Sequence, residues 1–208
     1  GRISSDLKKS NRCVMICQKF LKRGKRKMKI MVAADIHGSA YYCEKLLKKY
    51  KEEACDKLLL LGDILYHGPR NDLPEEYNPK KVLAMLNEMK NEILCVRGNC
   101  DTEVDQMVLE FPVLAEYCLL YLDHITIFAT HGHKFNKNFM PNLAENEVLL
   151  HGHTHVPACE KVGNNMYMNP GSVSIPKENS HHGYMTIEDG RFLWKDLDGN
   201  IKNSYPSA

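Results

Sequence analysis

The sequence predicts an α/β fold, and three observations carry that expectation. From Met28 to Val96, short apolar runs alternate with segments whose apolar residues recur at helical spacing. From Leu119 onward the runs are short and separated by Asp- or Gly-containing turns, so the second half reads as mostly β. Asp, Asn or His follows several of these runs, at the strand ends where open α/β sheets carry their ligands.

Each element has a local reason. Ile30-Met31-Val32-Ala33-Ala34 is a continuous apolar run, as expected of a strand covered on both faces. Ser39 can cap the helix that follows, in which Cys43, Leu46, Leu47, Tyr50 and Ala54 repeat at helical spacing among lysines and glutamates. Lys57-Leu58-Leu59-Leu60-Leu61 is a second buried strand, closed by Gly62-Asp63. A polar loop containing His67-Gly68-Pro69-Arg70-Asn71 comes next. Asn78-Pro79 then opens a helix with Val82, Leu83, Leu86 and Met89 on one face. Ile93 to Val96 is the third strand. This βαβαβ order argues for parallel strands joined by right-handed crossovers. Leu119 to Leu122 and Ile125 to Ala129 suggest a hairpin around Asp123-His124. Val148 to Leu150 leads into His151. Ala158 to Val162 and Met166 to Met168 flank Gly163-Asn164-Asn165, and Tyr184 to Ile187 and Arg191 to Trp194 flank Asp189-Gly190.

At 208 residues the chain is expected to form one domain with a sizeable core. The net charge of +2 hides an asymmetry, since residues 1–27 hold ten of the 28 Lys and Arg and one acid, Asp6. That segment carries +9 and residues 28–208 carry −7. Residues 1–27 are expected to be a basic extension, disordered or weakly helical, and residues 28–208 the domain. An acidic domain does not suggest a nucleic-acid-binding face. No apolar run approaches the roughly 18 residues of a membrane helix, so no membrane partner is expected. The eight cysteines show no metal-finger spacing and read as reduced thiols in a cytoplasmic protein.

The strand ends carry Asp35-x-His37, Gly62-Asp63, Gly98-Asn99, His131 and His153-x-His155. Taken singly each has a plain structural reading; Asp63 alone is a cap, a turn residue or a ligand. Jointly they place carboxylate, amide and imidazole donors at five strand ends. Such donors suit divalent ions such as Mn²⁺, Fe²⁺, Co²⁺, Ni²⁺ or Zn²⁺, and the absence of cysteine pairs argues against a closed structural zinc site. A carboxylate with two oxygens, Asp63, can bridge two ions that share a water, whose lowered pKa yields a hydroxide for in-line attack on phosphorus.

These motifs resemble the calcineurin-like metallophosphoesterase superfamily. The longer runs Val32 to Ser39, Gly62 to Asn71, Val96 to Asp101 and Asn169 to Lys177 are similar to a bacterial phosphodiesterase branch of it, over about Met28 to the C-terminus. The resemblance implies a four-layer αββα sandwich of the metallo-dependent phosphatase type. It implies a first metal on Asp35, His37 and His155, a second on Asn99, His131 and His153, and Asp63 between them. Mn²⁺ is the expected pair of ions, with Fe, Ni, Co or Zn as alternatives. Many relatives have a His after the Gly-Asn pair; here that place is Cys100, a departure expected to disfavour phosphomonoesters. Cys100 is accordingly the catalytic candidate, and Arg70 and His133 are candidates to touch substrate. The expected function is hydrolysis of small phosphodiesters by the metal-bound hydroxide. A phosphomonoesterase and a non-catalytic scaffold of the same fold are the alternatives. Homo-oligomerisation is left open.

Overall fold

The computed structural model describes residues 12–17, 27–122 and 124–206. The chain opens with strand β1 (Arg12–Cys17) and continues as β2 (Lys29–Ala33), helix α1 (Ala40–Glu52), β3 (Lys57–Leu60), α2 (Pro79–Asn87), β4 (Ile93–Cys95) and α3 (Glu103–Val108). It then runs as β5 (Tyr117–Leu122), β6 (Ile125–Thr130), β7 (Val148–His151), β8 (Pro157–Val162), β9 (Asn165–Pro170), β10 (Gly183–Glu188), β11 (Arg191–Asp196) and β12 (Ile201–Tyr205).

The strands form two six-stranded sheets, ordered β12-β11-β10-β2-β3-β4 and β1-β5-β6-β7-β9-β8. In the first sheet β2, β3 and β4 are parallel, as the βαβαβ pattern requires. In the second, β5 and β6 make the expected hairpin, with Leu122 opposite Ile125.

Alternation along β2 and β3 explains their unbroken apolar character. Met31, Ala33, Leu58 and Leu60 face α1 and α2, against Leu46, Leu47, Val82 and Leu86. Ile30, Val32, Leu59 and Leu61 face the other sheet, against Leu120, Ile127, Leu150 and Met168. Every second residue therefore enters a different core, and neither face meets water. Trp194 Nε1 donates to the Asn169 carbonyl at 2.7 Å, a bond from one sheet to the other. Both helix starts follow the sequence: the Ser39 hydroxyl accepts from Tyr42 N at 3.3 Å, and Asn78 Oδ1 accepts from Lys81 N at 3.1 Å, with Pro79 next.

The sandwich is the one the resemblance implies, with one difference in its outermost layer. The helices lie on the side of the first sheet. The outer face of the second is covered by the segment after His131, where Phe135 packs edge-on against Phe128 at 5.6 Å and stacks with Phe139. Among the described residues this segment carries no helix between β6 and β7.

Three elements were not expected. α3 is short and has no buried residue; its apolar residues Val104, Met107 and Val108 share one face but stay exposed. β12, Ile-Lys-Asn-Ser-Tyr, is an exposed edge strand. Arg12–Cys17, expected within a disordered or weakly helical extension, pairs in parallel with β5. Its apolar run Val14-Met15-Ile16 is β-prone, and β5 offers it an open edge. The rest of residues 1–26 lies outside the described residues.

Candidate metal centre

Five loops meet where β2, β3, β4, β6 and β7 end. Asp35 and Asp63 are buried, as are His37, His131 and His155. The ligand atoms of Asp35, His37 and His155 lie within 4.8 Å of one another, and so do those of Asp63, His131 and His153, and of His37, Asp63 and Cys100. Asn99 Oδ1 joins the second group, 3.0 Å from His131 Nε2. All seven residues expected to hold metal are thus in one cluster, with Asp63 and His37 common to two groups.

The backbone at these positions is unusual. Asp35 (φ 59°), His37 (φ 49°), Asp63 (φ 54°), His153 (φ 67°) and His155 (φ 62°) are all left-handed. Each such residue costs about 1–3 kcal/mol and persists only where surrounding contacts over-determine it. Those contacts are present. Asp35 N donates to the Gly62 carbonyl at 3.1 Å and His37 N to the Asp63 carbonyl at 2.9 Å. The hydroxyls of Ser172 and Ser174 both donate to the Asp35 carbonyl, at 2.9 and 3.0 Å. His153 N donates to Asp35 Oδ2 at 3.0 Å. Gly62 (φ +93°) and Gly98 let two loops touch: a Cβ on Gly98 would stand 2.1 Å from Asp63 Oδ1, and one on Gly62 2.4 Å from Gly98 N.

The imidazoles are aimed from behind. His37 Nδ1 faces the Tyr66 carbonyl at 2.8 Å, His131 Nδ1 the Leu61 carbonyl at 2.7 Å and His155 Nδ1 the Ile175 carbonyl at 2.6 Å. A nitrogen facing a carbonyl carries the proton, so each Nε2 points its lone pair into the cluster. His37 Nε2 and His155 Nε2 are only 3.3 Å apart, and His153 Nδ1 and His131 Nε2 3.1 Å. Two bare nitrogens at that distance repel unless a proton or a cation lies between them. Asp35 Oδ1, buried, has no hydrogen-bond partner, while His155 Nε2 and His37 Nε2 approach it at 3.4 and 3.6 Å. Facing lone pairs, an orphaned carboxylate oxygen and borderline donors fit divalent cations.

Titration reflects the crowding. Burial opposes charge on His131, but Asp63 and Asp35 outweigh it and raise its pKa to about 9. His37 moves up against burial for the same reason, under the pull of Asp35 and then Asp63. Burial would push both carboxylates up; His155 and His37 hold Asp35, and His131 holds Asp63, below the usual range. Burial, and then the charge on His131, pushes His153 down to about 4. Binding of cations therefore displaces protons.

The remaining candidates sit at the edge. Cys100 N donates to Asp63 Oδ1 at 2.8 Å, and burial and then Asp63 push its thiol up to about 12. His133 is exposed, its ring 5.4 Å from that of His131, and burial of part of the ring and then His131 lower its pKa. Arg70 is exposed on the loop after His67, without a partner among the described residues. A Cβ on Gly68 would stand 3.1 Å from Cys100 Sγ, which brings this loop against the cluster.

Sequence reading missed the residues that hold the ligands in place. Asp101 is buried, and its carboxylate accepts from Gly98 N (2.7 Å), Asp63 N (2.8 Å) and Ile64 N (2.9 Å). Asn169 Nδ2 donates to the Gly152 carbonyl at 2.9 Å, beside His153. Asp101, Asn169, Ser172 and Ser174 all lie in the runs that carry the family resemblance, which was the available signal, but no role was read for them.

A family model described as the calcineurin-like phosphoesterase superfamily domain matches residues 28–189. The chain is 46% identical over 162 residues to phosphodiesterase YfcE of Escherichia coli K12, covering 78% of this chain and 88% of the relative. A solved structure of that phosphoesterase superposes with a TM-score of 0.83 at 44% identity, over 85% of this chain and 98% of the other. Vacuolar protein sorting 29 from Cryptosporidium parvum shares the fold, with a TM-score of 0.58 at 13% identity over 88% of this chain and all (100%) of its own. From its donor cluster, its sandwich and these matches, the chain belongs to the calcineurin-like phosphoesterase superfamily.

Proposed function

We propose that the chain is a metal-dependent phosphodiesterase acting on small phosphodiesters through two divalent ions. The observation that carries this reading is the pair of facing imidazole contacts on either side of Asp63, together with the orphaned Asp35 oxygen, which divalent cations would satisfy at once. Asp35, His37 and His155 would hold one ion, Asn99, His131 and His153 the other, and Asp63 both. When bound, the ions supply positive charge to the phosphate oxygens and lower the pKa of a shared water for attack on phosphorus. Mn²⁺ is the first choice, with Fe, Co, Ni or Zn as alternatives that the same oxygen and imidazole donors would take.

The chain's own residues do the positioning. Asp101 locks the Asp63 amide and the Gly98 turn. The three carbonyl-anchored imidazoles keep each Nε2 inward. His133, neutral near pH 7, can donate one hydrogen bond to a phosphoryl oxygen. Cys100, a thiol where an imidazole would be a strong donor, gives at most weak hydrogen-bond help, which suits a diester with an acidic leaving group better than a monoester dianion. The relative named phosphodiesterase YfcE supports the diester reading. A cytoplasmic location accords with the six free cysteines among the described residues. Among the described residues no helix is long and apolar enough to cross a membrane.

The test pairs metal analysis with turnover of bis(4-nitrophenyl) phosphate and 4-nitrophenyl phosphate. Wild type is expected to retain about two ions per chain and to prefer the diester. Asp63→Asn lacks the charge that holds two dications together, so both occupancies should fall and turnover should drop at least about 100-fold. Near-wild-type turnover with two bound ions in Asp63→Asn would sink the bridging role. A wild type that turns over neither ester would favour the scaffold reading.

A further inference from the structure

Beside the metal ligands a cavity of about 360 Å³ opens in the seam between the two sheets, lined by Arg97, Gly98, Asn99, Glu116, His133 and Lys134. Small ligands occupy cavities of roughly 300–1,000 Å³. Asn99 belongs to the donor cluster, so cavity and cluster share a wall. The seam is closed beneath by Arg97 N, which donates to the Ala115 carbonyl at 2.8 Å.

The cavity is cationic in a domain that is otherwise acidic. Its lining has Arg97 and Lys134 against one carboxylate, Glu116, which pairs with Lys134. Outside the lining, Arg97 Nη1 meets Glu103 at 3.1 Å, and that glutamate is 74% exposed. Exposed pairs of this kind contribute about 0–1 kcal/mol and exchange readily for a ligand. Arg97 is nevertheless fixed: its Nε donates to the Asp101 carbonyl at 3.1 Å. Asp101 is the residue whose carboxylate holds Asp63 and Gly98. One residue thus sets both the metal-bridging carboxylate and the guanidinium, which gives the two a defined separation.

We infer that this cavity is a subsite for the alcohol part of the substrate, and that it selects an alcohol carrying a second anionic group, a carboxylate or a phosphate. The inference rests on the diesterase reading above and deepens it. A guanidinium anchored through Nε, its Nη1 engaged only by the exposed Glu103, can turn its outer N–H groups to such an anion, and Lys134, exchanging Glu116 for it, adds a second cation at the rim. His133, on the same wall, would lie between the two anionic ends of the substrate.

The test separates this inference from the diesterase reading by using probes that are not turned over. Binding of ethylphosphonate and of 2-carboxyethylphosphonate to the Mn²⁺-loaded full chain is measured by calorimetry. The wild type is expected to prefer the carboxylate probe about tenfold, the size of one charge-assisted hydrogen bond. Arg97→Ala should reduce that preference to about twofold or less, with Arg97→Lys intermediate. Lys134→Ala provides a second variant at an exposed position and should also reduce it. Equal affinities in wild type, or a preference that survives in both alanine variants, overturns the subsite. Turnover of 4-nitrophenyl ethyl phosphate, followed in parallel, reports on the diesterase reading alone.

Discussion

At position 100 a thiol stands against Asp63, and burial and then that carboxylate raise its pKa. A monoester dianion needs a proton or positive charge at its departing oxygen, and an imidazole can give either. Cys100→His is expected to raise the monoester-to-diester ratio of kcat/KM about tenfold, below the 10²–10⁴-fold of an optimised acid–base group. The loop at Gly68 must shift to admit the ring, because it already lies against Cys100. Normal metal content with an unmoved ratio would leave the substrate class to other residues, the Arg70 loop first. The clustered donors themselves were legible because each follows an apolar run that fixes its place in the fold. Asp101 was not, because its work is done on backbone amides, and no residue pattern marks an amide as unsatisfied. Arg97, just after β4, and Glu116, just before β5, line one cavity, and no local sequence pattern announces that placement.

At the scale of elements, legibility followed burial. β2 and β3, apolar on both faces, left continuous signals, and so did the one-sided stripes of α1 and α2. α3 and β12 bury little and left none of comparable length. β1 is the instructive miss, since its neighbours are basic and its apolar run is short. In the fold it occupies the outer edge of β5, which would otherwise present unpaired N–H and C=O groups. Deleting residues 1–27 is therefore expected to increase self-association at micromolar concentration and ordinary salt, read by light scattering. The truncated chain carries −7, which should oppose association, so any increase points to the exposed edge. A truncated chain that stays as monodisperse as wild type would show that β1 does not protect β5.

At the scale of the whole molecule, one half-buried acid ties the helix layer to the first sheet. Glu53, the C-cap residue of α1, meets Lys29 of β2 at 2.9 Å and Lys195 of β11 at 2.6 Å, and accepts from the Tyr184 hydroxyl of β10. Burial would raise its pKa; Lys195, Tyr184 and Lys29 together lower it below the ordinary value of 4.5. A carboxyl with a depressed folded-state pKa contributes stability above its unfolded pKa and loses it as the pH falls through the folded one. Glu53→Gln should therefore lower Tm by roughly 5 °C at pH 7, equivalent to about 1–2 kcal/mol in a domain of this size. The gap between wild type and variant should narrow below about pH 4.5, where the unfolded carboxyl begins to protonate. A gap independent of pH from 7 to 3 would mean that shape at position 53, and not charge, holds the helix to the sheet.

Asp35, His37, Asp63, His153 and His155 adopt backbone angles that glycine or asparagine tolerates with less strain. Relief of that strain is therefore one substitution away at each of five donors. Repeated selection for heat resistance alone, with no demand for turnover, would tend to erase these side chains early, since each exchange relaxes the chain and removes a donor from the cluster. Selection for turnover pulls the same positions the other way. The residues that make this protein chemically competent are thus among those holding its thermal stability below what its two cores would allow.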